Sequence, residues 1–149
     1  MSHIFKRIAI ASDHGGYDLK SKIIEYFRNK IEIIDFGTKN SMESVDYPDF
    51  AQCVSRYVIE NSPDSCGILI CKTGIGMSIS SNRFKNIRAA LCYNEDVSIL
   101  SRQHNNANII CFGASFIDSD IAIKCVEYFI GTEFQGGRHH NRINKIEDF

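Results

Sequence analysis

Five short apolar runs divide this chain, and between them the apolar residues return at helical spacing. That alternation admits few folds, because a strand buried on both faces needs helices above and below it. The first run covers residues 7–12, and Leu19, Ile23, Ile24 and Phe27 follow on one face of a helix. Residues 31–36 read as a second strand, with a polar loop from Gly37 through Ser44. A second helix opens at Pro48, whose fixed φ suits a first helical turn. It carries Phe50, Val54, Tyr57 and Val58 on one face and stops near Asn61-Ser62-Pro63. Residues 67–71, Gly67-Ile68-Leu69-Ile70-Cys71, are too few for a helix and read as a buried strand. A helix is expected over 75–84 and a strand over 87–92. Asn94 reads as an N-cap with Glu95 and Asp96 in the first turn, Asn105-Asn106 as a stop, and residues 108–112 as the last strand. Ile121, Cys125, Val126 and Phe129 mark a final long helix ending at Gly131.

Each strand reads as apolar on both faces, so the expected architecture is α/β: a three-layer α/β/α sandwich around a Rossmann-like five-stranded parallel sheet with right-handed crossovers. The chain has 149 residues, 44% of them hydrophobic, and no linker, repeat or low-complexity stretch, so residues 1–149 are expected to form one domain. Sheets of this kind bind ligands beyond the carboxyl ends of their strands. The residues there are polar: Asp13-His14 after the first strand, the segment from Cys71 to Ser78 at the third, and Gly113-Ala114-Ser115 after the fifth.

A formal net charge of -1, spread along the chain, leaves no basic field for nucleic acid or an anionic membrane, and a small-molecule partner is expected. Asp13, His14, Asp18 and Lys20 follow Lys6 and Arg7 too soon for a signal peptide, and no apolar stretch reaches spanning length. A cytosolic protein is therefore expected. The six cysteines, Cys53, Cys66, Cys71, Cys92, Cys111 and Cys125, form no C-x-x-C pair and no Cys/His ligand spacing, so no bound metal is expected. Most of them read as core filler, kept reduced.

Thr73-Gly74-Ile75-Gly76-Met77-Ser78 carries two glycines that let the backbone curl before a helix begins, leaving unpaired N–H groups that suit an anion. It lacks Walker spacing and is only part of a dinucleotide fingerprint, so a plain strand-to-helix turn is an equal alternative from the glycines alone. Cys71 at the strand end feels the positive end of the helix dipole, which favours the thiolate. Another buried core cysteine is the bland alternative. Arg138 and Arg142 stand four apart, so in a helical segment both guanidinium groups project from one face and suit a phosphate, unless they are a solvated basic tail. His104 closes its helix, where an imidazolium is favoured and a proton can be donated near neutral pH; capping is its commoner role. Nothing in the spacing singles out His3, His139 or His140.

These residues resemble the type B ribose-5-phosphate isomerases, which share a superfamily with the galactose-6-phosphate isomerase subunits. The resemblance runs nearly end to end. Its carriers are Ser12-Asp13-His14-Gly15-Gly16, Asp46-Tyr47-Pro48, Ile68 through Ser78, Asn82-Arg83-Phe84, Leu100 through Asn108, and Gly136-Gly137-Arg138-His139 with Arg142. It implies a cofactor-free aldose–ketose isomerase of the non-oxidative pentose phosphate pathway, a homodimer or dimer of dimers, with sites at the subunit interface. It implies substrate contacts at Asp13 and His14, with Tyr47 lining the pocket. Cys71 would be the base that moves the proton between sugar carbons, and His104 the ring-opening acid/base, assisted by the Thr73 hydroxyl. Asn105 would meet the sugar hydroxyls, and Arg138 and Arg142 the phosphate. Backbone N–H groups from Gly74 through Ile75, Gly76 and Met77 to Ser78 would meet the enediolate oxygen.

The chain departs from the family pattern at Lys72, where a glycine is usual, and at Ser115, where many members carry a phosphate-binding arginine. Lys72 either points outward or turns in toward Cys71 and the phosphate, and the cost of burying an ammonium favours the first. Two other readings are compatible with these residues: a galactose-6-phosphate or allose-6-phosphate isomerase, and a phosphate-binding module without catalysis.

Overall fold

The computed structural model describes residues 2–149 and contains a five-stranded, all-parallel sheet in the order β2-β1-β3-β5-β4. The strands are β1 (Arg7–Ser12), β2 (Glu32–Asp35), β3 (Ser65–Cys71), β4 (Ala89–Leu91) and β5 (Ile109–Gly113). The helices are α1 (Tyr17–Phe27), α2 (Tyr47–Glu60), α3 (Ile75–Ser81), α4 (Glu95–Asn105), α5 (Ser119–Gly131) and α6 (Arg138–Glu147). The expected three-layer α/β/α sandwich is thus present. Leu19, Ile23 and Phe27 of α1 and Val126 and Phe129 of α5 pack with Ile8, Ile10, Ile68 and Ile70 on one face. Ala51, Val54 and Val58 of α2 and Met77 of α3 pack with Ala9, Ala11, Leu69 and Cys71 on the other.

Strand β3 is buried along its whole length because it lies between β1 and β5 and beneath helices on both faces. Each of Ile68, Leu69 and Ile70 is fully buried, worth about 2 kcal/mol apiece. The residue that ends this strand, Cys71, therefore sits on a backbone held on both sides and covered on both faces.

The expectation that every strand is apolar on both faces fails at the edges. In β2, Glu32 and Asp35 are exposed while Ile33 and Ile34 are half-buried, and β4 is half-buried throughout. Edge strands have a neighbour on one side only, and charge at such an edge discourages further pairing. The helix expected over 75–84 ends at Ser81, where the Ser81 hydroxyl turns back onto the Met77 carbonyl at 2.6 Å. Asn82 then binds Ala89 through both its amide and its carbonyl oxygen, at 2.9 and 2.8 Å, and β4 begins two residues later than expected. The Asn94 cap is confirmed: its side chain accepts the Val97 N–H at 2.9 Å.

Strand order places a reversal between β1 and β3, since the chain leaves β1 toward β2 and leaves β3 toward β4 and β5. Helix α1 and helix α3 consequently depart to opposite faces, and the crevice between the carboxyl ends of β1 and β3 is where ligands bind in such sheets. Lys20, fully buried on α1, braces one wall. Its Nζ donates to Asp35 Oδ1 and to the Thr38 carbonyl, both at 2.7 Å. The Gly37–Thr38 backbone in turn bonds Ser12 on both sides at 2.8 Å, which fixes the chain just before Asp13.

Candidate active site

Two groups of side chains emerge, at opposite ends of the sheet. The first gathers around the crevice. Asp13 is buried, and its Oδ1 accepts the Gly16 N–H at 3.1 Å, capping a single 3-10 turn at His14–Gly16. The Asp13 N–H itself donates to the Ile70 carbonyl at 3.1 Å, one residue from Cys71. His14 accepts the Val45 N–H on Nδ1 at 3.2 Å, so in its neutral form the ring carries its proton on Nε2 and offers a donor there.

Cys71 is 5% exposed, and its sulfur accepts the Gly74 N–H at 3.2 Å. Gly74 adopts φ +75° to make that turn, and a Cβ there would lie 2.8 Å from the Phe112 carbonyl carbon. Thr73 Oγ1 accepts the Ile75 N–H at 3.2 Å, and the Ser78 N–H is taken by the Gly74 carbonyl at 3.1 Å. The expected row of donors from Gly74 to Ser78 is therefore shorter than the glycine pattern implies. Among the described residues, only the N–H groups of Gly76 and Met77 in that row have no protein acceptor, because they occupy the first turn of α3. The Tyr47 ring, partly exposed, lies against Gly76, where an added Cβ would come within 2.4 Å of Cε1.

Lys72 is exposed, with its side chain in no ion pair among the described residues, so the outward alternative is the one observed. Its carbonyl accepts the Ser115 N–H at 3.0 Å, which makes the two departures from the family pattern neighbours.

Gly113 holds the loop from below. A Cβ there would stand 2.4 Å from the Thr73 carbonyl oxygen and 2.5 Å from its carbon, and backbone cannot swing aside as a side chain can. Gly113→Ala is expected to cost about 1–3 kcal/mol of stability through overpacking. It should also lower kcat by roughly tenfold or more, because the Cys71–Gly74 turn is displaced. Thermal melting with steady-state kinetics checks both; an unaltered kcat would show that the turn is not held by this contact.

The second group lies at the amino-terminal end of the sheet. His104 and Asn105 close α4, Asn106 takes the left-handed cap with φ +47°, and the chain enters β5 at Ile109. Cys71 is level with Gly113 at the far end of the same strand, so the two groups are separated by about 13 Å of β5, at about 3.3 Å per residue. Arg102 fixes the α4 terminus. Its guanidinium is held by the carbonyls of Thr132 and Ala107 and by Asn106 Oδ1, between the rings of Phe5 and Phe129. Burial pushes its pKa down to about 10, which leaves it a cation at neutral pH.

Helix α6, which the sequence suggests only as a conditional helical segment, does form, and it places Arg138 and Arg142 one turn apart, both exposed. Between them His139 is buried, and its ring stacks on His104 with centroids 4.4 Å apart and planes 17° from parallel. Reading His139 as incidental is thus corrected; the hydrophobic stripe of α6 would have been the signal, since Ile143 follows four residues on. Its pKa lies below the ordinary histidine value, first through desolvation and then through His104, Arg138 and Arg142. The remaining cysteines divide as expected of core filler, Cys53 aside, which is exposed. Burial pushes Cys66 and Cys92 up to about 12, Cys125 to about 11, and Cys111 further still, so all four stay protonated at neutral pH.

The chain is similar to known proteins in both sequence and fold. Residues 8–146 match the Ribose/Galactose Isomerase family. The chain is 40% identical to ribose-5-phosphate isomerase B of Escherichia coli over 142 residues, 95% of this chain and 94% of that one. It superposes on a ribose 5-phosphate isomerase from Thermotoga maritima with a TM-score of 0.92, at 48% identity over 96% of this chain and 98% of the other. A ribose-5-phosphate isomerase B from Mycoplasma genitalium, solved with bound ribulose-5-phosphate, gives a TM-score of 0.92 at 41% identity, covering 99% and 97%.

Proposed function

We propose, on the premise that this chain belongs to the Ribose/Galactose Isomerase family, that it interconverts ribose 5-phosphate and ribulose 5-phosphate through a cis-enediolate. The observation that carries the chemistry is the Cys71 sulfur, bonded to the Gly74 N–H beside the two unclaimed donors of Gly76 and Met77.

A proton on carbon beside a carbonyl is a weak acid, and removing it is feasible only where the charge that develops on oxygen meets fixed donors. In the open-chain aldose the Cys71 thiolate takes the proton from C2. The electron pair moves to O1, where the N–H groups of Gly76 and Met77 receive it. The thiol then returns its proton to C1 while the hydroxyl proton on O2 passes to O1, and the ketose results. No electrons enter or leave. Asp13 and the Nε2–H of His14 face the sugar from the β1 side, Tyr47 and Lys72 flank the mouth, and Ile75 and Ser78 shape the loop that presents the donors.

His104, with Thr73 assisting, opens the furanose ring, Asn105 binds sugar hydroxyls, and Arg138 and Arg142 hold the phosphate. Within one chain these two groups face away from each other across the sheet, which supports a homodimer, or a dimer of dimers, in which each site takes one group from each copy. Residues 1–149 act as one sugar-phosphate isomerase domain in the non-oxidative pentose phosphate pathway. A free thiol as base suits the reducing cytoplasm. Among the described residues no helix is long and apolar enough to cross a membrane.

Purified protein treated with a chelator is expected to convert ribose 5-phosphate to ribulose 5-phosphate at an undiminished rate, followed by the ketose absorbance. Loss of activity on chelation would require a metal in the reaction, and no conversion at all would remove the reading.

A further inference from the structure

We propose that Arg88, paired with Glu147, is a positioning residue that holds the ends of α4 and α6 together and so keeps the ring-opening and phosphate-binding groups in register. This inference rests on the isomerase reading above. Arg88 stands immediately before β4 and is anchored through its own backbone: its N–H donates to Asn108 Oδ1 at 2.9 Å, and its carbonyl accepts the Asn108 N–H at 3.0 Å. The side chain leaves that anchor in two directions. Nε donates to the carbonyls of Asn105 and Asn106, at 3.1 and 3.0 Å, and Nη1 donates to Glu147 Oε1 at 2.6 Å. The second carboxylate oxygen, Oε2, accepts the Asn86 N–H at 3.0 Å.

The chemistry favours this arrangement. Carbonyls at a helix C-terminus have no partner within the helix, and a cation there complements the dipole. The Arg88 and Glu147 side chains are 18% and 21% exposed, so their attraction is less screened than that of a surface pair while neither charge is wholly desolvated. A planar guanidinium with diverging N–H groups can serve two carbonyls and a carboxylate at once; an ammonium cannot span them.

What the clamp joins is the second half of the site. The last turn of α4 carries His104 and Asn105, and α6 carries Arg138 and Arg142, with Arg142 five residues before Glu147. Between these helices lies the His104–His139 stack. Releasing Glu147 lets α6 shift against α4 and moves the phosphate anchors; releasing Arg88 also frees the carbonyl end on which His104 is oriented. Arg88 touches no reacting atom and acts through these neighbours.

Glu147→Gln, Arg88→Gln and Arg88→Lys, assayed beside the unaltered protein for ribose 5-phosphate isomerisation and thermal melting, separate the steps. Glu147→Gln should raise KM by about fivefold with kcat within about twofold, since only α6 is freed. Arg88→Gln should raise KM similarly and lower kcat by about tenfold, and Arg88→Lys should not restore kcat. Folded variants with unaltered KM and kcat would overturn the clamp, as would a loss confined to melting temperature. Should Arg88→Gln fail to fold, the KM of Glu147→Gln decides. An unaltered protein that isomerises nothing overturns the functional reading, and the clamp's role with it.

Discussion

Replacing Cys71 by alanine should lower kcat for ribose 5-phosphate by about a thousandfold, in the middle of the range that general acid–base catalysis contributes. The substitution removes one sulfur at the end of β3 and leaves the Ala9, Ala11 and Leu69 packing beside it in place, so the protein should still fold. The Gly74 N–H, which is buried, loses its acceptor at a cost of about 1–3 kcal/mol. Cys71→Ser is the sharper variant, because it keeps a hydrogen-bond acceptor of similar size and replaces only the sulfur proposed to carry the proton. Cys71→Ser should melt within a few degrees of the parent and Cys71→Ala lower than the serine variant, while steady-state rates collapse in both. A serine or alanine variant of near-normal kcat would mean that another group carries the proton.

The second large effect is expected at Arg142. An exposed guanidinium on α6 has no competing partner among the described ion pairs, so its full fork is available to a phosphate. Arg142→Ala should raise KM by about thirtyfold or more, with a smaller fall in kcat, because remote binding energy holds the reacting carbons against the base. An unchanged KM would place the phosphate elsewhere. The same variant tests how the two halves of the site are brought together. If each site takes Cys71 from one copy and Arg142 from the other, mixing Cys71→Ala with Arg142→Ala gives hybrid dimers with one intact site. Equal mixing should then recover about a quarter of the unaltered activity, measured below the parent KM. A mixture no more active than its components would mean that both groups act within one chain.

The positions of the proposed site residues follow from a few features of the fold. Cys71 is placed by a strand buried along its whole length, and the turn that bonds its sulfur is set by Gly74 at positive φ over Gly113, neither of which leaves room for a Cβ. Asp13 is placed by the β1 terminus, which the Lys20 brace secures through the 37–38 backbone. His104 is placed from the other end, by two arginines that claim the carbonyls of Asn105, Asn106 and Ala107 at the α4 terminus.

The alternation of apolar runs with helical spacing was enough to determine a parallel sheet covered on both faces, and the strand-end residues already marked Asp13, Cys71 and the glycine loop. Both are local readings: periodicity and turn chemistry act over a few residues. What only the tertiary structure decided is longer in range. The Gly74 and Ile75 amides are spent on Cys71 and Thr73, which leaves Gly76 and Met77 as donors. His139 belongs beside His104, and Arg88 reaches Asn105 and Glu147 from a different element. The separation of Cys71 from His104, Arg138 and Arg142 across the length of β5 follows from strand direction and order. Hydrogen-bond competition and three-dimensional proximity depend on residues distant in the chain, and no pattern of neighbours in sequence encodes which of two acceptors an amide will meet.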